Sequence, residues 1–149
     1  MSVTAPLQTQ HHRCDALFAQ AERAAAQGDW GSCARDFADF AAELKRHFRT
    51  EEEILFPAFE AATGMQGGPT QMMRMEHGQM RGLLAQMDVT LAVRDAEGFG
   101  GSAETLLILM QQHNMKEENI LYPMCDQALG GDAERVGNEV GAVLQGAHG

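Results

Sequence analysis

The sequence predicts an all-α protein, an up-down-up-down four-helix bundle, on the strength of three observations. Apolar residues recur at spacings of three and four along most of the chain, which is the period of an amphipathic helix. The strict alternation of apolar and polar residues that is typical of a half-buried strand is absent from the sequence. Glycine-containing breaks divide the chain into four long segments joined by short loops, and such segments pack as a bundle.

The first two helices are expected in the N-terminal half of the chain. Residues 1–10 are polar and are expected to be irregular, and a helix should follow over residues 11–26. The second helix should begin after Asp29, whose side chain can cap its N-terminus, and end near Gly64.

The remaining helices are expected in the C-terminal half. Pro69 suits the first turn of the third helix, and the glycine-rich stretch 98–101 should close it. Ser102 is the expected N-cap of the fourth helix, which should end near residues 130–131. Residues 132–149 are expected to form a short fifth helix or a tail.

The chain contains an internal repeat with an offset of 66 residues. The segment from His47 to Pro57 matches the segment from His113 to Pro123, and the same offset relates His11 to His77. Each half is therefore one helical hairpin, used twice. The proline that closes each matching segment is expected to end or kink its helix.

Four histidines are spaced to meet at one level of the bundle. The separation is 36 residues both from His11 to His47 and from His77 to His113, and the midpoint of each pair lies at or near a predicted turn. Residues equidistant from a turn lie at the same height in an antiparallel pair, here ~27 Å from it at ~1.5 Å per residue. All four imidazoles also lie on the apolar faces of their helices, so they should converge inside the bundle.

Two glutamates follow the same logic. Glu51 lies four residues after His47, and Glu117 lies four residues after His113, so each is one turn further along the same helix face. The two carboxylates should face each other ~6 Å from the histidine layer, where they could bridge two metal ions. Imidazole and carboxylate together suit iron, manganese or zinc, and bundles are a known setting for di-iron and di-manganese sites.

Several neighbouring residues admit more than one interpretation. His12 is the alternative to His11 as a ligand, although the repeat offset selects His11 because only that residue maps onto His77. Asp15 is either a hydrogen-bond partner of the site or a solvated surface residue, and Cys14 either faces the site or is a buried thiol. Three glutamates next to ligands in sequence either contact the site or are solvated: Glu52, Glu76 and Glu118.

The composition excludes several classes of function. The chain has 149 residues, with 11 Lys and Arg against 21 Asp and Glu, and its net charge of −10 disfavours nucleic acid and anionic membranes as partners. No apolar run approaches the ~20 residues needed to span a bilayer. The length favours one domain over residues 1–149, and the odd, unspaced set of three cysteines favours the reducing cytoplasm. His148, in a glycine-rich tail, is expected to take no part in the site.

The pattern of these residues resembles the hemerythrin family, in its HHE cation-binding branch. The resemblance runs from about His11 to Asp126 and depends on the ordered series His, His-x-x-x-Glu, His, His-x-x-x-Glu. It implies a four-helix bundle that holds a non-haem di-iron centre with an oxo or hydroxo bridge. It further implies six metal ligands, the two glutamates among them as bridges: His11, His47, Glu51, His77, His113 and Glu117.

Two departures from the family pattern bear on function. Oxygen-carrying hemerythrins have a fifth histidine one turn before the third-helix histidine, where this chain has Met73, and a thioether is a poor ligand for ferric iron. They also have an aspartate five residues after the last histidine, where this chain has Glu117 at four. The chain therefore looks more like the symmetrical four-His, two-Glu centres of iron–sulfur-cluster-repair and stress-response relatives than like an oxygen carrier.

The expected function is binding or sensing of a small ligand such as oxygen, nitric oxide or peroxide, by a binding protein rather than a conventional enzyme. The second hypothesis is a di-iron oxidoreductase or cluster-repair protein that works with an external electron donor, because the sequence contains no flavin, nicotinamide or cluster motif. The third is a metal-free structural bundle.

Overall fold

The computed structural model describes residues 2–145, and helices account for nearly all of them, which confirms the all-α fold. In chain order the elements are α1 Ala5–Ala26, α2 Trp30–Thr50, a first π turn Glu51–Leu55, α3 Phe56–Thr63, α4 Pro69–Ala92, α5 Ala96–Lys116, a second π turn Glu117–Leu121, α6 Tyr122–Ala128, a 3-10 turn Gly130–Asp132 and α7 Ala133–Leu144. No strand occurs between residues 2 and 145, and no helix within them is long and apolar enough to cross a membrane. His148 lies outside the described residues.

Four long rods form the bundle. Helices α2 and α3 are one rod interrupted only by the first π turn, and α5 and α6 are a second rod interrupted by the second. Helix α1 packs along α2 and α4 packs along α5, while α1 also contacts α5 and α2 contacts α4. The expected short fifth helix is α7, which covers α1, α2 and the first π turn.

The N-terminal segment differs from the prediction, since residues 5–10 are helical and form the beginning of α1. The helix start is held both locally and at long range. The Ala5 N–H donates to Ser2 Oγ at 3.0 Å and Pro6 lies in the first turn, while Asp126 acts as a long-range cap on the residues that precede the helix. Asp126 on α6 accepts hydrogen bonds from the backbone N–H groups of Val3 and Thr4 at 2.8 and 3.2 Å, and from the hydroxyls of Ser2 and Thr4. These bonds tie the start of α1 to the rod that carries Glu117, and no local sequence signal could reveal them.

The start of the fourth rod also differs from the prediction. Helix α5 begins at Ala96 and includes the glycines that were expected to form a loop, so Ser102 lies inside the helix rather than at its N-cap. The cap is Asp95, which accepts a hydrogen bond from the Gly98 N–H at 3.0 Å. Gly98 is required there because a Cβ atom would collide with the Asp95 carboxylate. Asp29 caps α2 in the same way, by accepting from the Ser32 N–H.

Pro57 and Pro123, which were expected to end or kink their helices, do not end them, because α3 and α6 continue past them to Thr63 and Ala128. A proline inside a helix lacks an N–H group, and its ring collides with the carbonyl four residues earlier. Here a π turn precedes each proline. In the π turn before Pro57, the Phe56 N–H donates to the carbonyl of Glu51, five residues earlier, whereas a regular α-helix would use the carbonyl four residues earlier. Each proline therefore follows a point where the regular ladder of hydrogen bonds is already interrupted.

The apolar core is divided into two clusters. One lies towards the α1–α2 and α4–α5 turns and includes Cys14, which is therefore a buried thiol of the core, with Phe18, Phe40, Met80 and Leu106. The other lies towards α7 and includes Leu7, Leu55, Phe56, Met73, Tyr122 and Val136. The histidines and glutamates singled out from the sequence lie along the rods between these two sets, so each side of that layer is sealed by apolar packing.

Asp126→Asn tests the long-range cap. The variant keeps a neutral acceptor but loses the charge-assisted bonds to the start of α1, so the free energy of unfolding should fall by about 1 kcal/mol in urea denaturation. Asp39→Asn, at an exposed position of α2, is the matched control and should stay within about 0.5 kcal/mol of the wild type. Equal effects of the two substitutions would contradict the assignment of Asp126 as a cap.

Candidate metal centre

Six ionisable side chains are buried together in the middle of the bundle. Among residues 2–145 they are the only histidine, aspartate, glutamate, lysine or arginine residues in the buried class, each at most 4% exposed: His11, His47, Glu51, His77, His113 and Glu117. The neighbouring His12 is exposed on the surface of α1 and lies outside this cluster. Because an isolated buried charge is costly, such a cluster requires compensation from within.

The cluster has two halves, one around each pair of histidines. At the 77/113 position, which consists of His77, His113 and the two glutamates, His77 Nε2 lies 3.0 Å from Glu51 Oε1 and His113 Nε2 lies 3.3 Å from Glu117 Oε2. The ligand atoms of this position all lie within 4.8 Å of one another.

The 11/47 position consists of His11, His47 and Glu117, whose ligand atoms lie within 4.8 Å of one another, and Glu51 adjoins this group without belonging to it. His11 Nε2 lies 3.0 Å from Glu117 Oε1, and His47 Nε2 lies 3.5 Å from Glu51 Oε2. Each carboxylate therefore directs one oxygen towards each position. This is the arrangement that two bridging carboxylates require.

The donor atoms of the 77/113 position fit a metal ion. Within residues 2–145 four buried side-chain atoms have no partner at a hydrogen-bonding angle, although they lie close to one another, and all four belong to this position: Glu51 Oε1, His77 Nε2, His113 Nε2 and Glu117 Oε2. An unsatisfied buried polar group costs about 1–3 kcal/mol, so four of them directed at one point are unusual in a native structure. A divalent cation would satisfy all four, and their mixture of imidazole nitrogen and carboxylate oxygen suits iron, manganese or zinc.

Each imidazole is held from behind by a partner on its Nδ1 atom. The distances are 2.7 Å for three glutamate partners and 2.9 Å for one glutamine: Glu118 with His11, Glu52 with His77, Glu76 with His113, and Gln10 with His47. An acceptor at Nδ1 fixes the tautomer that leaves the Nε2 lone pair free to bind a metal. Glu52, Glu76 and Glu118 thus contact the site, whereas Asp15 is exposed.

The partners are themselves anchored. Arg81 donates two hydrogen bonds of 2.8 Å to the Glu52 carboxylate, and Lys116 pairs with Glu76. The amide of Gln10 donates to Glu43 at 2.8 Å. The inner histidines therefore belong to a network that extends to the surface of the bundle and restricts their rotation.

Tyr122 is a member of the site that sequence reasoning missed. Its hydroxyl lies 2.7 Å from Glu51 Oε2 and 3.0 Å from Glu117 Oε1, which share its one proton, and it lies 3.3 and 3.4 Å from the Nε2 atoms of His11 and His47. In a regular helix, a residue five positions after Glu117 would point away from it. The π turn brings Tyr122 back to the same face of the rod as Glu117. Sequence reasoning that assumes a regular α-helix therefore could not place Tyr122 in the site.

The titration of the site follows from burial and charge. Burial favours the neutral phenol of Tyr122, and the adjacent carboxylates of Glu117 and Glu51 add to this, so its pKa lies well above the usual range. Burial also disfavours the imidazolium forms of His47 and His113. The two carboxylates outweigh that effect and raise the pKa of His47 to about 10 and that of His113 to about 9 when no metal is bound.

Comparison with known proteins gives one match. The family model described as the Hemerythrin HHE cation binding domain matches residues 2–125, a range that includes every member of the buried cluster and Tyr122. No similar curated protein and no similar solved structure was found. The match ends within α6, so α7 lies beyond it.

His11→Ala and His12→Ala form a matched pair that tests the ligand on α1. After anaerobic loading with ferrous iron and removal of excess metal, His11→Ala should retain about half the wild-type metal content by elemental analysis, because one position loses a ligand. His12→Ala should retain the wild-type content. The opposite ranking of the two variants would contradict the placement of His11 in the site.

The metal-free protein should become less stable as the pH rises. The folded-state pKa values of His47 and His113 are raised, so their stabilising contribution is complete below the unfolded value of ~6.5 and is lost as the pH rises to about 9–10. Urea denaturation of chelator-treated protein between pH 6 and pH 9 should show this decline. The decline in the free energy of unfolding should be shallower in His47→Gln than in the wild type, and it should be unchanged in His12→Gln. Identical slopes in the wild type and both variants would contradict the raised pKa of His47 as the cause.

Proposed function

The chain belongs to the hemerythrin HHE cation-binding domain family, and we propose that it holds two iron ions in the buried cluster and binds a small oxidant or diatomic gas there. The observation that carries the proposal is that Glu51 and Glu117 each direct one oxygen towards each pair of histidines. Manganese and zinc suit the same donors, so the choice of iron rests on the family and is part of the proposal.

The residues that would hold the two ions are the six of the cluster, with His77 and His113 at one position, His11 and His47 at the other, and both glutamates shared. Bound iron would supply a redox-active centre with coordination positions that the protein leaves open to a small ligand.

The protein's own side chains prepare this site in three ways. The carboxylate and amide partners on Nδ1 orient the imidazoles before metal arrives. The apolar clusters on either side exclude bulk water and favour the entry of small neutral molecules over ions. The Tyr122 hydroxyl holds a proton beside the 11/47 position and can donate a hydrogen bond to a ligand there.

The proposal favours a stress-related role over simple oxygen carriage. Met73 takes the place of the fifth histidine of oxygen carriers, and it is buried within the apolar cluster near α7. A thioether there cannot supply the missing nitrogen ligand. We therefore propose oxygen, nitric oxide or peroxide as the ligand in sensing or detoxification, in the cytoplasm, where the three free cysteines would stay reduced.

Elemental analysis together with a visible spectrum tests this function. Purified protein loaded with iron should contain two irons per chain and show an iron charge-transfer band. The Glu117→Gln variant should lose both the bound iron and the band. Glu104→Gln, at an exposed position of the same rod, is the control and should keep both. A wild-type protein that binds no metal would overturn the proposal in favour of a structural bundle.

The response of the reduced protein separates binding from catalysis. A stable spectral change after one equivalent of oxygen, nitric oxide or peroxide is the result expected of a binding protein. Repeated consumption of the added molecule in the presence of an external electron donor would instead identify an oxidoreductase that depends on a redox partner, which is the second candidate from the sequence.

A further inference from the structure

The two halves of the site are related by the sequence repeat but are not identical around their ligands. The offset of 66 maps every ligand onto a residue of the same type, and it maps Glu52 onto Glu118. It fails at three positions that touch the ligands. Phe48, which stacks on His77 with ring centroids 4.1 Å apart, corresponds to Asn114, and the other two positions change a group that hydrogen-bonds to a ligand. Gln10, behind His47, corresponds to Glu76 behind His113, and Tyr122 corresponds to Phe56.

The first difference concerns hydrogen bonds to the carboxylates. The Tyr122 hydroxyl shares its one proton between Glu51 Oε2 and Glu117 Oε1, which are the two oxygens that face the 11/47 position. The other oxygen of each carboxylate, which faces the 77/113 position, accepts no hydrogen bond within residues 2–145. A donated hydrogen bond withdraws charge from an oxygen and competes with a cation for its lone pair. An ion at the 11/47 position must therefore share or displace these bonds.

Phe56 has no group that could do the same at the 77/113 position. Its ring stacks on His77 with centroids 5.8 Å apart, and the ring of Tyr122 stacks on His11 at 5.7 Å. The two aromatic rings therefore occupy equivalent places against equivalent histidines. Only the hydroxyl distinguishes them.

The second difference concerns the charge behind the histidines. Both imidazoles at the 77/113 position donate to carboxylates, and cations anchor those carboxylates. At the 11/47 position one of the two partners is the neutral amide of Gln10. A carboxylate behind a ligating histidine raises its basicity, and loss of such a partner typically costs ~10–100-fold in metal affinity.

We infer that the two metal positions are unequal: the 77/113 position binds its ion more tightly and fills first, and the 11/47 position, weakened by Gln10 and Tyr122, binds more weakly and exchanges faster. This inference rests on the proposed function, in that the cluster binds two ions. Both differences act in the same direction, so the gap in affinity should be ~10–100-fold.

The experiment measures each position alone, because repulsion between two ions would create separate binding steps even at equal sites. His11→Ala leaves the 77/113 position intact, and His113→Ala leaves the 11/47 position intact. Titration of the two metal-free variants with cobalt(II), followed by its absorption spectrum and by calorimetry, gives one dissociation constant for each. The His113→Ala protein should bind cobalt ~10–100-fold more weakly.

Exchanging residues between the halves assigns the cause. In the His113→Ala background, Tyr122→Phe should tighten cobalt binding, and in the His11→Ala background the mirror change Phe56→Tyr should weaken it. Gln10→Glu and Glu76→Gln form the second matched pair. Gln10→Glu should tighten cobalt binding in the His113→Ala background, and Glu76→Gln should weaken it in the His11→Ala background. Circular dichroism of each metal-free variant checks folding. Gln10→Glu places a second carboxylate next to Glu43 and risks misfolding, whereas Tyr122→Phe adds no charge, so Tyr122→Phe tests the inference by itself.

The outcomes separate this inference from the proposed function. Equal dissociation constants for His11→Ala and His113→Ala, or tighter binding at the 11/47 position, would overturn the inequality while leaving the two-metal site standing. A wild-type protein that binds no cobalt and no iron would overturn the proposed function itself.

Discussion

The burial of two carboxylates and four imidazoles in one layer is the constraint on which the rest of the molecule depends. Removing these groups from water costs several kcal/mol for each charge unless partners compensate for it. Opposite charges within the layer supply part of this compensation, and the partners behind each Nδ1 supply more. The apolar core must then form as two clusters, one on either side, because packing cannot continue through the polar layer.

Much of this could be predicted from the sequence, because helical periodicity and repeat spacing are local quantities. The equal separations between His11 and His47 and between His77 and His113 place all four at one height, and the structure brings them together with both glutamates. The offset of 66 also selected His11 over the adjacent His12, and the structure buries the former and exposes the latter. The family model match agrees with the ordered pattern of these residues.

The features that could not be predicted depend on contacts between distant parts of the chain or on departures from the α-helical period. Asp126 caps a helix that begins more than a hundred residues earlier, and nothing local in the sequence indicates these hydrogen bonds. The start of the helix itself does carry a local sign, since Pro6 lies in its first turn. Ser102 resembles an N-cap as well as Asp95 does, and the close approach of Gly98 to Asp95 decides between them. Tyr122 reaches the site only because a π turn changes the angle between it and Glu117.

Each π turn separates two functions of its rod. The glutamate at the start of the π turn follows the register of the preceding α-helix. It therefore lies on the same face as the histidine four residues earlier. The aromatic residue just after it, Phe56 or Tyr122, belongs to the register of the following helix, which is shifted by one residue. The glutamate and the aromatic residue beside it can therefore change independently, and a protein built from two copies of one hairpin can keep its buried glutamates paired while their surroundings become different.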